Sequence, residues 1–225
     1  MIAADALPAV ERRSTTDEVL RLLRAAIVDG GIAQGEQLRE VELAARLGTG
    51  RSAVREALRQ LVQEGLVQHE PHRGSFVRII DADDIVDVYR AREAVEVAAL
   101  GRILAPAGPV VLGPLREAFD RLREAAGEGA GTWREMSDVD IAFHETLVAL
   151  AGSPRLVRMY ETLAAESRMH LYSYPPYPAL QNVDDHARIL EALERGSHEA
   201  VELLREHLRY SSRLAVEGLG GGVGG

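Results

Sequence analysis

Three arginines in one short segment have the spacing needed to recognise a nucleic acid. Arg51, Arg55 and Arg59 recur at every fourth position, so on a helix they lie along one edge. The opposite edge carries apolar side chains that are expected to face a core: Leu58, Leu61 and Val62. An arginine can donate two parallel hydrogen bonds to guanine, so we predict that Arg51 and Arg55, in the first turns of the helix, contact base edges. The alternative is a solvated helix face on which Arg55 and Arg59 pair with Glu56.

Residues on either side of this helix are candidates for further contacts with DNA. Ser52 and Arg39 are placed to bind phosphates, which fix the position of a protein on the duplex without specifying its sequence. His72, Arg73 and Gly74 form the tip of a predicted hairpin, which we expect to enter the minor groove. Glycine suits that place because it has no Cβ and lets the backbone approach closely.

A second group of residues has the chemistry of a metal site. Asp140 and His144 are one helical turn apart, and His186 and His207 lie on two later predicted helices. Histidines on otherwise apolar helices are costly to bury without partners. One carboxylate and three neutral imidazoles suit a divalent ion, with zinc as the first choice and nickel or manganese as alternatives. The other explanation is three core histidines that bind nearby carboxylates and carbonyls.

Composition limits the classes of function. The absence of cysteine excludes disulfides and thiolate ligands. The sequence has no run of about 18 apolar residues, so it predicts no membrane-spanning helix. Residues 1–16 lack the apolar segment of a secretory signal, so we expect a cytoplasmic protein. The net charge of −9 argues against a nucleic-acid partner, but arginines and acids balance in residues 1–80, so the whole excess falls on 81–225. The N-terminal part can therefore still bind phosphates locally.

Apolar periodicity predicts a mainly α protein with two domains. After a flexible arm at 1–13, a helix begins at a capping box formed by Thr15 and Glu18, and two further helices flank the turn Gly48-Thr49-Gly50. Short strands at 66–69 and 75–78 follow, so residues 14–79 are predicted to form a winged helix-turn-helix domain with a small β-hairpin wing.

The remainder of the chain is predicted to be an all-α bundle, spanning 80–217, followed by a disordered glycine-rich tail at 218–225. About six helices are expected, at 83–105, 114–126, 133–151, 153–172, 184–195 and 197–217. His170 and His198 lack the apolar periodic surroundings of His144 and His207, so they are expected at the surface or in loops.

The motifs of both domains resemble one family of bacterial regulators. The N-terminal pattern is Gly35-x-x-Leu38, Glu42-Leu43-Ala44, Gly48-x-x-Arg51-x-x-Val54-Arg55-Glu56-Ala57-Leu58 and Glu64-Gly65-Leu66-Val67, and it resembles the GntR family. The C-terminal pattern is Arg92-x-x-x-Glu96, Asp140-x-x-x-His144, His186 and His207, and it resembles the metal-containing FCD effector domain of the FadR branch. The chain departs from the family at Thr49-Gly50, where Val-Ser is usual, and at Val41, where many members have a basic residue.

The resemblance implies a transcriptional regulator, more commonly a repressor, that binds a double-stranded inverted-repeat operator as a homodimer. It places Arg92 at an effector cavity, where a buried guanidinium would clamp a carboxylate; the alternative is a salt bridge to Glu96. Arg168 and Tyr172 are further candidates for this cavity. A metal beside an arginine favours a small organic acid as effector.

Two other functions fit a carboxylate–histidine metal site. The ion itself could be the signal, which would make the protein a metal-responsive regulator. The ion could instead activate water for hydrolysis, although the sequence offers no clear general base beside it, so we do not expect an enzyme.

Overall fold

A computed structural model describes residues 14–105, 111–127, 132–172 and 179–221. The predicted arm at 1–13 and the last four residues of the predicted tail lie outside this part of the chain. Two compact units are present, one built mainly from residues 32–78 with the helix that precedes them, and one from residue 79 onward.

The first unit is a winged helix-turn-helix, as predicted. Its elements are α1 (Thr15–Val28), β1 (Gln37–Leu38), α2 (Glu40–Arg46), α3 (Arg51–Gln63), β2 (Val67–Glu70) and β3 (Gly74–Val77). The antiparallel sheet has the order β1-β3-β2, with Val67 opposite Val77 and Glu70 opposite Gly74. Strand β1 was not predicted, because a strand of two residues is too short to show apolar alternation.

The N-cap of helix α1 lies one residue earlier than predicted. The Ser14 hydroxyl accepts a hydrogen bond from the Asp17 N–H, and the Asp17 carboxylate accepts one from the Ser14 N–H, both at 3.1 Å. The capping pair is therefore Ser14 and Asp17 rather than Thr15 and Glu18. The Glu18 carboxylate instead forms an ion pair with Arg21. Buried apolar side chains on the inner face of α1 are Val19, Leu20, Leu23 and Ile27.

The turn between α2 and α3 places the arginine-bearing helix. Gly48 has a φ of +61°, a conformation that favours glycine, and Gly50 is the N-cap of α3. Gly50 has no side chain that can cap the helix. Among the described residues, the Ser52 hydroxyl does not cap the start of α3 in its place. Val54, Ala57, Leu58 and Leu61 are buried. Val62 is 37% exposed, so its predicted place in the core was wrong; it lies at the edge of the apolar face.

The second unit is an all-α bundle of six helices among the described residues, as predicted. They are α4 (Ala82–Ile103), α5 (Gly113–Ala125), α6 (Trp133–Leu150), α7 (Pro154–Leu171), α8 (Ala179–Glu194) and α9 (Glu199–Gly221). Helix α4 packs against α6, α7 and α9, while α5 packs against α6 and α8, and α8 against α9.

Two helix ends in the bundle differ from the prediction by more than two residues. Helix α8 begins at Ala179, five residues before the predicted start at Asp184. The prediction missed this start because residues 179–183 carry no capping signal. Helix α9 continues to Gly221, so the first four residues of the predicted tail at 218–225 are helical. None of the described helices has the length and apolarity needed to cross a membrane.

Candidate functional site

The arginine edge of α3 faces solvent. Arg51, Arg55 and Arg59 are all exposed, and within the described residues Arg51 forms no ion pair. Arg55 pairs with Glu40 at the start of α2 rather than with Glu56: Nε lies 2.9 Å and Nη2 2.7 Å from the two carboxylate oxygens. This hydrogen-bonded arginine lowers the pKa of Glu40 from its usual value. Arg59 is the one that binds Glu56, at 3.4 Å.

The pair with Glu40 fixes the orientation of Arg55 without consuming its donors. A guanidinium carries five N–H groups, and the carboxylate of Glu40 takes two of them along the Nε–Nη2 side. The other three remain for a ligand at the exposed end of the side chain, which is half exposed. The arrangement therefore presents a preoriented hydrogen-bond donor along the exposed side of α3.

The candidate phosphate contacts lie at the starts of α2 and α3. Ser52 is exposed in the first turn of α3. Arg39 is the N-cap residue of α2, where Nη1 is 3.0 Å from Glu42 and Nε is 3.1 Å from the Gln37 side chain. Val41 is 61% exposed, so the position where many family members carry a basic residue is apolar and open to solvent here.

The tip of the wing is held in a tight turn. His72 has a φ of +65°, which non-glycine residues seldom adopt, and Gly74 has a φ of +104°. The Gln37 side chain donates a 2.6 Å hydrogen bond to the carbonyl of Arg73, so β1 restrains the tip. The Arg73 guanidinium lies 5.3 Å from the ring centroid of Phe76. His72 and Arg73 are exposed.

In the bundle, three helices bring four predicted metal ligands together. Asp140 and His144 come from α6, His186 from α8 and His207 from α9, and one ligand atom of each lies within 4.8 Å of the others. The three histidines are almost fully buried. Phe143 packs edge-on against His186, with centroids 4.6 Å apart, and helps to fix the plane of that ring.

The hydrogen bonds of two rings determine what can lie between them. His144 Nδ1 is 2.6 Å from a carboxylate oxygen of Glu96, and His186 Nδ1 is 2.7 Å from the backbone carbonyl of Asn182. Both acceptors require the proton on Nδ1, which leaves each neutral ring with a lone pair on Nε2. These two Nε2 atoms are 3.1 Å apart, and Asp140 Oδ1 is 3.5 Å from that of His186. Three acceptors thus converge at a place where one bound cation would satisfy all of them.

The electrostatics of the cluster keep three of its members in the form that binds a metal. Burial, followed by the effect of His207, lowers the pKa of His186 to about 3, so this ring is neutral near pH 7. Burial also lowers the pKa of His207, although Asp185 opposes the shift. Burial raises the pKa of Asp140, but the nearby histidines outweigh it and hold the pKa at about 2. Neutral imidazoles and an ionised carboxylate are the metal-binding forms.

Two residues around the cluster were not recognised as part of the site from the sequence. Glu96 orients His144, and the Asn182 side chain donates a 2.7 Å hydrogen bond to Asp140 Oδ1. Partners of this kind fix the orientation of metal ligands. Glu96 was visible only as a possible partner of Arg92, and Asn182 lies in the segment of α8 whose start was placed too late.

A small cavity of about 20 Å³ adjoins the cluster. Asp140 and Asn182 line it, together with Ser137, Ser211 and Tyr89. Its volume is that of about one water molecule. A larger ligand therefore has to displace side chains, and apolar side chains line the cavity as well: Trp133, Met136 and Leu171.

Arg92 is buried beside this site and forms the salt bridge to Glu96 that was the alternative to an effector clamp. Its Nε donates a 3.0 Å hydrogen bond to Glu96 Oε1. The guanidinium carbon lies 5.1 Å from the ring centroid of Tyr89 and 5.8 Å from that of Tyr160. Among the described residues, Arg92 Nη2 and the Tyr160 hydroxyl have no hydrogen-bond partner although both are buried. Buried donors are rarely left so, which makes Arg92 Nη2 a donor available to a ligand.

Arg168 lies in the last turn of α7, and Tyr172 is the C-cap residue of that helix. Arg168 is 3.0 Å from Glu145 and 3.5 Å from Asp138, and the Tyr172 hydroxyl binds Asp138. No contact among the described residues joins either side chain to the metal-ligand cluster. Arg168 therefore forms ion pairs with two carboxylates. Arg92 differs, because its Nη2 has no hydrogen-bond partner among the described residues.

His170 is a buried residue, so its predicted place at the surface was wrong. It is 1% exposed, with its ring centroid 5.5 Å from that of Tyr89. Burial, with a smaller contribution from Arg92, lowers its pKa to about 3. The apolar neighbours Met169 and Leu171 were the available sign of burial. His198 is exposed, as predicted.

Comparisons with known proteins agree with both units. Residues 15–77 match the bacterial regulatory proteins of the gntR family, and residues 87–210 match the FCD domain. A regulator from Streptomyces ambofaciens, described as an uncharacterized HTH-type transcriptional regulator in an unstable DNA locus, is 34% identical over 204 residues, covering 88% of this chain and 83% of its own.

Two further relatives cover nearly the whole chain. A probable D-xylose utilization operon transcriptional repressor from Paenarthrobacter nicotinovorans is 30% identical over 213 residues, which is 94% of this chain and 93% of that protein. The crystal structure of a GntR transcriptional regulator from Rhodococcus sp. RHA1 is 31% identical, with a TM-score of 0.75, and covers 90% of this chain and 97% of that one. The chain belongs to the GntR family and is a DNA-binding transcriptional regulator with a C-terminal FCD domain.

Proposed function

We propose that this regulator binds an inverted-repeat operator in the cytoplasm as a homodimer and represses transcription until a small organic acid binds beside a divalent metal in the FCD domain. The DNA-binding domain spans 14–79, and the domain for effector binding and dimerisation spans 80–217. Repression is supported by the description of the Paenarthrobacter relative as a repressor.

Base recognition is assigned to Arg51 and Arg55, whose exposed donors lie on the first turns of α3. Ser52 and Arg39, at the starts of two helices, are assigned to phosphates. The minor-groove contacts are assigned to the restrained wing tip, at His72, Arg73 and Gly74. One such helix makes a small interface, which is why two copies related by a dyad are needed for a specific site.

The metal site is assigned to Asp140, His144, His186 and His207. The observation that carries this proposal is the convergence of the two Nε2 lone pairs and Asp140 on one point inside the bundle. Zinc is the first candidate because imidazole and carboxylate ligands suit it, and nickel and manganese are alternatives. When bound, the ion would supply a Lewis-acidic position for an oxygen of the effector.

The effector is assigned to the cavity next to Asp140. An organic acid fits the donors present, because one oxygen can approach the metal while its carboxylate binds the free donor of Arg92. Arg168 and Tyr172 are assigned to the outer part of this site. The effector acts by a population shift: it changes operator affinity only by as much as it prefers one conformation over the other.

Operator binding by the metal-loaded protein tests this function. Operators selected from a random duplex library are titrated at fixed salt, with and without each of a panel of hydroxy and dicarboxylic acids. At least one acid is expected to change the affinity. If added zinc alone changes the affinity and no acid does, the ion is the signal and the organic-acid effector is wrong. If no sequence is enriched, the DNA-binding assignments are wrong.

A further inference from the structure

One buried carboxylate connects the candidate effector clamp to a candidate metal ligand. Glu96 Oε1 accepts a 3.0 Å hydrogen bond from Arg92 Nε, and Glu96 Oε2 lies 2.6 Å from Nδ1 of His144. Arg92 and Glu96 are one turn apart on α4, and His144 comes from α6. All three side chains are 1% exposed or less, so no solvent screens these contacts.

We propose that Glu96 is a positioning residue that sets the affinity of the metal site through His144, and that Arg92 weakens its effect. This inference rests on the proposed metal site. A carboxylate that accepts the Nδ1 proton of a metal-bound histidine fixes the ring and makes its other nitrogen a stronger donor. Arg92 draws negative charge toward the opposite oxygen of the same carboxylate, so less of it acts on His144.

The charges of the neighbourhood support a shared role for this carboxylate. Glu96 is buried, and each of its two carboxylate oxygens lies against a nitrogen: Oε1 against Nε of Arg92 and Oε2 against Nδ1 of His144. A single negative charge thus lies between two groups that compete for it. An acid that occupies Arg92 would release Glu96 toward His144, and metal affinity would rise.

This arrangement makes metal binding and acid binding mutually dependent. Coupling between two sites is reciprocal, so a bound metal would strengthen acid binding by the same factor. The free Nη2 donor of Arg92 provides the place at which an acid can begin to compete. The site would then respond to an acid most strongly when it already holds its ion.

The test uses zinc alone as the probe, measured with the full-length chain by competition with a calibrated chelator. Glu96→Gln keeps the shape of the side chain but removes its charge, and is expected to weaken zinc binding by about 10- to 100-fold. Glu93→Gln is the matched control: Glu93 lies on the same helix but pairs with Arg205 and Arg209. It is expected to bind zinc as tightly as the wild type.

A second variant imitates an occupied clamp. Arg92→Met removes the competing cation and is expected to tighten zinc binding by about fivefold or more. The double variant Glu96→Gln/Arg92→Met distinguishes the connection through Glu96 from a general repulsion between Arg92 and the ion. The connection predicts that Arg92→Met has little effect once Glu96 is uncharged, whereas general repulsion predicts the same tightening in both backgrounds.

The tautomer of His144 gives a readout that does not depend on folding of the Arg92 variants. Nitrogen-15 spectra of the wild type are expected to show Nδ1–H at His144, and Glu96→Gln is expected to change that signal. Zinc affinity within twofold of the wild type in Glu96→Gln, with an unchanged tautomer, would overturn the role of Glu96 while leaving the metal site intact. A wild-type chain that binds no zinc would overturn both the metal site and this inference.

Discussion

The assignment of Arg55 to base recognition predicts a large loss of operator affinity in Arg55→Ala. Glu40 occupies the Nε–Nη2 side of the guanidinium and leaves three N–H groups, enough for a bidentate contact with guanine without breaking the ion pair. One such contact discriminates by about 5- to 150-fold. A dimer makes the contact in both half-sites, so the combined loss is about 30-fold to about 10⁴-fold.

Fluorescence anisotropy with an operator selected by the wild type measures this loss. Arg59→Ala is the matched control, because Arg59 lies one turn further along the same helix and is also exposed, but pairs with Glu56. It is expected to lose far less affinity. Both variants should keep the helicity and oligomeric state of the wild type, since neither side chain contributes to the core.

The dependence on salt separates the two kinds of contact. A phosphate contact that is lost lowers the slope of log K against log salt by about one unit per contact, whereas loss of a base contact relaxes the preference for one base pair. Arg55→Ala should bind a nonspecific duplex almost as the wild type does. If Arg55→Ala bound its selected operator as tightly as the wild type across the salt series, the assignment would be wrong.

Three further predictions follow from the same contacts. Glu40→Gln should reduce the ratio of operator to nonspecific affinity in anisotropy titrations, because Arg55 loses its orienting carboxylate; an unchanged ratio would show that the pair has no role. Removing zinc from the loaded protein with a chelator should lower the melting temperature by about 5–10 °C relative to a buffer with zinc at 100 times its Kd, measured by calorimetry, and an unchanged melting temperature would argue against binding. Arg168→Ala should retain the full zinc content by elemental analysis, since no described contact joins it to the ligands; loss of zinc would contradict the separation of the two groups.

Much of the fold was predictable because its signals are local. Apolar periodicity and glycine at the turn located α2 and α3, and Ser153 with Pro154 located the start of α7. The spacing of Asp140 and His144 placed two candidate ligands on one face of α6. The remaining ligands required the family resemblance, because His186 and His207 come from separate helices and their meeting depends on tertiary packing.

The features that were missed arise from contacts between distant residues. Glu96 was visible as the neighbour of Arg92 on α4, but its second oxygen binds His144, 48 positions away in the sequence. The alternative interpretation paired Arg55 with Glu56, which is adjacent in sequence, whereas Glu40 approaches it across the turn between two helices. Short-range patterns cannot show such pairs, because the fold alone decides which side chains meet.

The metal content of the purified full-length chain tests the central claim most directly. Elemental analysis of protein prepared without added chelator is expected to find about one divalent ion per wild-type chain, as the four converging ligands predict. His144→Ala should lose that ion, and His198→Ala, which removes an exposed histidine, should retain it. Equal metal content in wild type and His144→Ala, or no metal in the wild type even after incubation with zinc, would contradict the account.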